Sequence, residues 1–122
     1  MDSIETIFSQ TSIAGILKSA SNLIEMGNEF ARSTNSELML KSPTSLKITL
    51  KQILDAKTMS LEDELVMEYR MVQKCQISGD FYEGVRAMLV DKDRNPVWKH
   101  SNIDKVAKEE VFDLLKPLSR QN

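Results

Sequence analysis

The chain has 122 residues, of which 41% are hydrophobic and 28% charged, with a formal net charge of −2 at pH 7. This length fits one domain or one large fragment. The acidic balance disfavours a dedicated nucleic-acid binder, which needs a basic face to neutralise phosphates, and no apolar run approaches the ~20 residues that span a bilayer. Only 4 Gly and 3 Pro argue against an all-β fold with many tight turns.

The first forty residues predict helices. Six apolar residues recur at helical spacing between Thr11 or Ser12, as an N-cap, and Gly27-Asn28, as a stop. Those six are Ile13, Ile16, Leu17, Ala20, Leu23 and Ile24. One short turn is predicted before this helix, at residues 4–8, and a weaker helix after it, interrupted at residues 33–36.

Ser42-Pro43 predicts the start of the next helix, with Ser42 as N-cap and Pro43 in the first turn, where its missing N–H costs nothing. Residues 46–51 also alternate as a strand would, so periodicity alone leaves both interpretations open. The Ser-Pro start and the continuing apolar pattern favour a helix. Ser60 predicts a further start, before acidic residues that suit the positive end of a helix dipole. The apolar face of that helix is Leu61, Leu65, Tyr69 and Val72.

Gly79 is predicted to end that helix, and Asp80 and Glu83 have the spacing of a capping box that starts another. Gly84 inside the new helix lowers helix stability by about 1 kcal/mol relative to Ala. Either the helix simply tolerates this cost, or the glycine is needed because another element approaches closely. Residues 91–104 form the one clear loop, and a last helix at residues 111–118 is disrupted by Pro117. The predicted buried stripe after Gly79 is Phe81, Val85, Met88 and Leu89.

The pattern therefore predicts an all-α chain of five to seven helices with little or no sheet. We divide it into N-terminal helices at residues 1–40, helices and a loop at 41–99 and a C-terminal helix at 100–122. A chain of this size can form its own core, yet a layer cut from a larger protein would show the same pattern.

Metal sites are not predicted. Residues 91–95 place acidic or amide side chains at positions 1, 3 and 5, as a calcium loop does, but the loop then requires Gly and Glu where the chain has Pro96 and Asn102. His100 is the only histidine and has no partner at zinc-ligand spacing. We therefore expect a solvated loop with an exposed histidine.

No local pattern indicates catalysis by this chain. It has no Gly-x-Ser-x-Gly elbow and no glycine-rich phosphate loop, and the carboxylates at residues 62–68 are expected to form a solvated helix face. Cys75 is expected to be buried, although Lys74 beside it could lower its pKa. Because a single cysteine cannot form an intramolecular disulfide, a reducing compartment fits, and we expect an intracellular soluble protein.

Several blocks of residues 41–99 stand in the order and spacing of one known family. They are residues 42–50, Glu68-Tyr69-Arg70, residues 80–87, Asp91-Lys92-Asp93 and Pro96-Val97-Trp98-Lys99. In these blocks the chain resembles the C-terminal region of 3-hydroxyisobutyryl-CoA hydrolases, members of the crotonase (enoyl-CoA hydratase/isomerase) superfamily. Generic enoyl-CoA hydratases usually carry a Lys-Arg pair near Asp91-Lys92, and this departure favours the hydrolase branch.

The resemblance implies the helical end of an enzyme that hydrolyses a coenzyme A thioester in valine catabolism, usually in mitochondria. The family's catalytic carboxylates and oxyanion-binding N–H groups lie in an N-terminal ββα-spiral core, so we assign no catalytic residue and no covalently bound cofactor here. In such enzymes this region covers the core, closes one side of the acyl-CoA pocket and contributes to packing. We therefore expect the N-terminal crotonase core as partner, or self-association of exposed apolar helix faces.

A candidate coenzyme A contact lies in the predicted loop, where Trp98 stands among Lys92, Arg94 and Lys99. Cations suit phosphates, and an indole can stack on adenine. We favour the alternative, a solvated loop anchored by the packed indole, because three aspartates dilute the positive field. Two further functions stay open: a free-standing helical interaction module derived from an enzyme tail, and a small coenzyme A binder that uses these four residues.

Overall fold

The computed structural model describes residues 2–76 and 79–115, and within those ranges it contains helices and loops but no strand. A π-helical turn at Arg86–Val90 continues the sixth helix, and a 3-10 turn at Ile103–Lys105 precedes the last. The prediction of an all-α chain with five to seven helices is confirmed, while the division at residues 40 and 99 stays a prediction. The helices are α1 (Ser3–Phe8), α2 (Ile13–Glu25), α3 (Glu29–Leu40), α4 (Pro43–Ala56), α5 (Leu61–Gln76), α6 (Gly79–Val85) and α7 (Lys108–Leu115).

Helices α1, α2 and α3 pack around one apolar cluster. Each begins after a residue whose side-chain oxygen accepts a backbone N–H of the first turn, namely Asp2, Ser12 and Asn28. The Asn28 amide also donates a 2.9 Å hydrogen bond to the Ser3 hydroxyl, so the start of α3 is fixed to α1. The buried members of the cluster are Ile7, Ile13, Ile16, Ala20 and Ala31.

Helix α3 runs without a break, so the predicted interruption at residues 33–36 is wrong. Ser, Thr and Asn have weak helix propensity because their side chains compete for backbone hydrogen bonds. Ala31 before this stretch and Leu38 after it both pack into the first apolar cluster, and these contacts hold the turn between them. Tertiary packing overrides local propensity here.

Helix α4 connects the N-terminal layer with the C-terminal helix. Its start is the predicted one, because the Ser42 hydroxyl accepts the N–H of Ser45 at 3.2 Å and Pro43 is the first helical residue. The helical interpretation of residues 46–51 is confirmed. Ile48 is buried in a second apolar cluster with Val106 and with Val111 of α7, which seats α7 on α4.

Helix α5 leaves its predicted apolar face exposed. The predicted cap at Ser60 is confirmed, since its hydroxyl accepts the N–H of Asp63 at 3.1 Å. Its buried residue is Met67, while Met71 and Cys75 pack on the second cluster. The prediction of a buried stripe after Gly79 is wrong. The large apolar side chains left exposed on these two segments include Leu61, Leu65, Tyr69, Val72, Phe81, Met88 and Leu89.

The C-terminal part consists of the loop after the π-helical turn, the 3-10 turn and α7. Val111 of α7 is buried, whereas the predicted disruption of this helix at Pro117 lies outside the described residues. Across the ranges 2–76 and 79–115, no helix has both the length and the apolar character needed to cross a bilayer.

Candidate functional site

The loop at residues 91–99 is folded against α6 by one guanidinium group. Arg86 donates to both carboxylate oxygens of Glu83 at 2.7 Å, and its Nη1 lies 2.8 Å from carboxylate oxygens of both Asp91 and Asp93. Hydrogen bonds to Glu83, Asp93 and Asp91 raise the pKa of Arg86 further above its already high ordinary value. The aspartates that the sequence placed in a solvated loop are therefore partners of a helix side chain.

Asp80 and Glu83 extend this attachment to the end of the loop. Glu83 accepts the backbone N–H of Val97 at 2.7 Å, and Asp80 accepts that of Lys99 at 2.8 Å and the Ser42 hydroxyl proton at 2.6 Å. The hydrogen bonds from Arg86 and from the Val97 N–H lower the pKa of Glu83 to about 2. Because α6 already begins at Gly79, Asp80 is not the N-cap of a capping box, and that prediction is wrong.

The loop backbone adopts a conformation that non-glycine residues rarely take. Lys92 and Arg94 both have a φ of 56°, in the left-handed region that side chains disfavour. The Arg94 N–H donates to the Ala87 carbonyl oxygen at 2.9 Å, and the Asn95 N–H donates to the Asp93 carboxylate at 2.9 Å. These bonds, with the Arg86 contacts, offset the cost of the two left-handed residues.

The four predicted contact residues lie in two settings. Lys92 and Arg94 are exposed at the loop tip and form no ion pair with any described residue. Trp98 is half-buried: its Nε1 donates to the Leu40 carbonyl oxygen at 3.1 Å, and a Cβ built on Gly84 would lie 3.5 Å from its Cη2 atom. The close approach considered for Gly84 is therefore present, and the indole is anchored as the solvated-loop alternative expected.

Lys99 belongs to a small polar cluster at the start of α7. Its ammonium lies 3.2 Å from one oxygen of Glu110, and Nε2 of His100 lies 2.8 Å from the other. Burial of Glu110 disfavours its charge, but the hydrogen bonds from His100 and Lys99 outweigh that effect and lower its pKa. The side chain of His100 is only 17% exposed, so the expectation of an exposed histidine is wrong.

Cys75 is half-buried against the second apolar cluster. Burial raises the pKa of its thiol, so Lys74 does not activate it; the Lys74 ammonium instead donates to the carbonyl oxygen of Asp113. Among the residues that the structure describes, no three His, Cys, Asp or Glu side chains are placed to hold a metal ion.

An open groove of about 1140 Å³ runs between α4, α6, α7 and the end of the loop. Trp98, Lys99 and Asp80 stand among its lining residues, whereas Lys92 and Arg94 do not. The structure thus brings two of the four predicted contact residues to the groove. Its apolar lining is Ile48, Phe81, Val85, Met88, Leu89 and Leu114.

Sequence reasoning missed Arg86, Glu83 and Asp80 as the residues that position the loop. Glu83 and Arg86 are three residues apart on one helix face, which is a detectable ion-pair spacing. No local signal reveals that Asp91 and Asp93 return to the same guanidinium, since the left-handed residues that turn the loop are a lysine and an arginine.

Residues 1–115 match the family described as enoyl-CoA hydratase/isomerase. The chain belongs to this family. Its full length is 43% identical to the mitochondrial 3-hydroxyisobutyryl-CoA hydrolase of Gallus gallus, of which it covers 31%. The human protein of the same name is 40% identical over 118 residues, 97% of this chain and 30% of that protein. The chain therefore spans about a third of the length of these relatives.

Solved structures of family members show the same arrangement of helices. An enoyl-CoA hydratase from Rhodobacter sphaeroides superposes with a TM-score of 0.83 at 32% identity, over 94% of this chain and 33% of that one. A carnitinyl-CoA dehydratase from Mycobacterium thermoresistibile superposes with a TM-score of 0.83 at 28% identity, over 95% and 32%. The described helices therefore correspond to a fraction of a crotonase-type enzyme.

Proposed function

We propose that this chain is the C-terminal helical part of a 3-hydroxyisobutyryl-CoA hydrolase-like thioesterase. In this role it packs on a catalytic core and covers one side of the acyl-CoA site. The observation that carries the proposal is the identity of 43% along the whole chain to a relative of which it forms only 31%. Because the relatives that match are named as mitochondrial proteins, we propose a mitochondrial location as well.

The exposed apolar surface supports a docking role. Large apolar side chains of α5 and of the π-helical turn after α6 are exposed, among them Leu65 at 56% and Leu89 at 69%. An apolar patch formed by such side chains would mark an interaction site on a folded protein. The groove beside Trp98 adds a concave and largely apolar surface, which is suited to the pantetheine arm of coenzyme A.

The proposal is tested with a chimaera in which this chain replaces the matching C-terminal third of the Gallus gallus relative. We expect the chimaera to release coenzyme A from 3-hydroxyisobutyryl-CoA, followed with a thiol reagent, and expect neither the truncated relative nor this chain to do so alone. Met88→Asp places a charge in the groove and should lower kcat/KM at least about tenfold. Met26→Asp is the matched control, because Met26 is 80% exposed at the end of α2 and outside the groove.

Two results would contradict the proposal. A folded chimaera without thioesterase activity would favour a free-standing helical interaction module, the other candidate function. An equal loss of kcat/KM in the Met88 and Met26 variants would show that the groove is not part of the docking or substrate surface.

A further inference from the structure

A separate cavity of about 300 Å³ lies between the start of α2, the middle of α4 and the start of α7. It shares no lining residue with the groove. Three of its lining side chains are lysines, and none of its lining residues carries a carboxylate, although the chain as a whole has a net charge of −2. We call it the lysine cavity, after Lys47, Lys51 and Lys108.

Two of the lysines approach the same aromatic ring. The ammonium of Lys51 lies 4.6 Å from the centroid of the Phe112 ring, and that of Lys108 lies 5.9 Å from it. Each cation is attracted by the ring, but two like charges beside one ring repel each other. An anion close to both ammonium groups would relieve that repulsion.

The charges of this cluster are only partly compensated. Asp55 lies 3.0 Å from the Lys51 ammonium and forms the ion pair of the cluster in the described part of the chain. The half-buried Lys47 donates to the carbonyl oxygen of Val106 at 3.0 Å, which is a neutral partner. Lys47 and Lys108 therefore have no carboxylate partner among the described residues.

The remaining lining combines hydroxyl groups with apolar side chains. Thr11 and Ser12 bring hydroxyls to the start of the thirteen-residue helix α2, whose positive dipole end adds to the field of the lysines. The apolar side chains are Ile13, Leu50, Leu54, Val111 and Phe112. The lysine cavity therefore offers cations and hydroxyls beside an apolar wall.

We propose that the lysine cavity binds the phosphate monoester group of a small organic molecule. Two ammonium charges without a carboxylate partner match a group that carries close to two negative charges at pH 7. Hydroxyls and ammonium groups donate to its oxygens, and the apolar wall accepts the organic part. A volume of about 300 Å³ is at the small end of ligand sites, so the ligand is smaller than an entire coenzyme A.

The test is an NMR titration of the ¹⁵N-labelled 122-residue chain with butyl phosphate, and with inorganic phosphate in parallel. We expect saturable shifts at the backbone amides of Ile13, Lys47 and Lys108, with a Kd in the low millimolar range. Lys108→Gln should weaken binding about tenfold, as the loss of one charge-assisted contact does. Lys18→Gln makes the same charge change at an exposed α2 position outside the cavity and should leave the Kd within about twofold.

Lys47→Gln is the second variant and should weaken binding as Lys108→Gln does; the spectrum of each variant reports whether it is folded. If coenzyme A shifts the same amides, that result would support the proposal. The phosphate monoester of coenzyme A would then be one group that the lysine cavity binds. The proposal is overturned by shifts that do not saturate, by equal weakening in the Lys108 and Lys18 variants, or by shifts confined to residues 91–99. None of these outcomes depends on thioesterase activity, so the two proposals fail separately.

Discussion

Arg86 and Glu83 form a bidentate ion pair one helical turn apart, with both guanidinium-to-carboxylate hydrogen bonds at 2.7 Å. The parallel geometry uses the planar fork of arginine, which lysine cannot reproduce. Since the same guanidinium binds Asp91 and Asp93, this pair fixes where the loop lies on α6.

Arg86→Lys should release the loop without unfolding the helices. One ammonium cannot reach Glu83, Asp91 and Asp93 in the same fork, so amide hydrogen exchange at residues 94–97 should accelerate about tenfold or more. Arg32→Lys is the control, because Arg32 makes one long contact of 3.8 Å with the exposed Glu29. Unchanged exchange in the Arg86 variant would show that the loop is held by its own backbone bonds.

Loop order should persist to unusually low pH. The pKa of Glu83 is about 2 in the folded chain, against an ordinary 4.5, so its contribution to stability is complete above the ordinary value and disappears as the pH falls through about 2. An NMR titration of the Glu83 carboxyl carbon measures this directly. In the Arg86→Lys variant the midpoint should rise toward the ordinary value; a midpoint above 4 in the unmodified chain would contradict the assigned contacts.

Gly84→Ala should be tolerated. The added methyl would meet the Trp98 ring at an ordinary van der Waals distance of 3.5 Å, and alanine favours a helix interior over glycine by about 1 kcal/mol. Thermal unfolding should therefore shift upward, with little change in Trp98 fluorescence. Gly84→Leu should instead displace the indole and shift its emission; if both variants gave the same emission, the close approach would be absent.

Ile7 and Ile4 provide a matched pair in α1 for testing the N-terminal core. Ile7 is fully buried, whereas Ile4 is 55% exposed. Ile7→Ala should lower the free energy of unfolding by about 2–5 kcal/mol, and Ile4→Ala by no more than about 0.5 kcal/mol. Urea titration followed by circular dichroism measures both free energies. Similar losses of stability in the two variants would contradict the burial of Ile7 between α1, α2 and α3.

Coenzyme A should change the fluorescence of Trp98, the only tryptophan, if the candidate contact between this loop and coenzyme A exists. Arg94→Gln, which removes the charge of Arg94, should then weaken the binding of coenzyme A several-fold, because a phosphate contact is charge-assisted. Lys57→Gln, at an exposed position after α4, is the control. Fluorescence unaffected by coenzyme A would exclude a contact by Trp98 and leave the indole as a packing anchor.

Helix starts were predictable because their signals are local. The Ser42-Pro43 and Ser60 starts stand where the sequence placed them, since a hydroxyl cap acts within three residues. The continuity of α3 was not predictable, because Ala31 and Leu38 are held by other helices.

The site was predictable only in part, for a similar reason. A sequence can show that Trp98 and Lys99 are near an acidic loop. Their position in the groove, however, depends on backbone N–H groups of the loop that donate to Asp80 and Glu83, up to 19 residues away. An apolar stripe predicts that a helix will be covered, yet it does not identify the covering surface. That is why the sequence predicts a buried stripe after Gly79, although Phe81, Met88 and Leu89 are exposed.

The π-helical turn at Arg86–Val90 has a consequence for how this region can change in evolution. Its extra residue lets the Asp91 N–H bond to the Arg86 carbonyl oxygen at 2.8 Å, five residues back. Deleting one residue from this turn would restore regular helix and rotate everything after it by ~100° about the helix axis. The acidic loop would then leave α6 on a face without Arg86, so insertions and deletions here should be tolerated far less than substitutions.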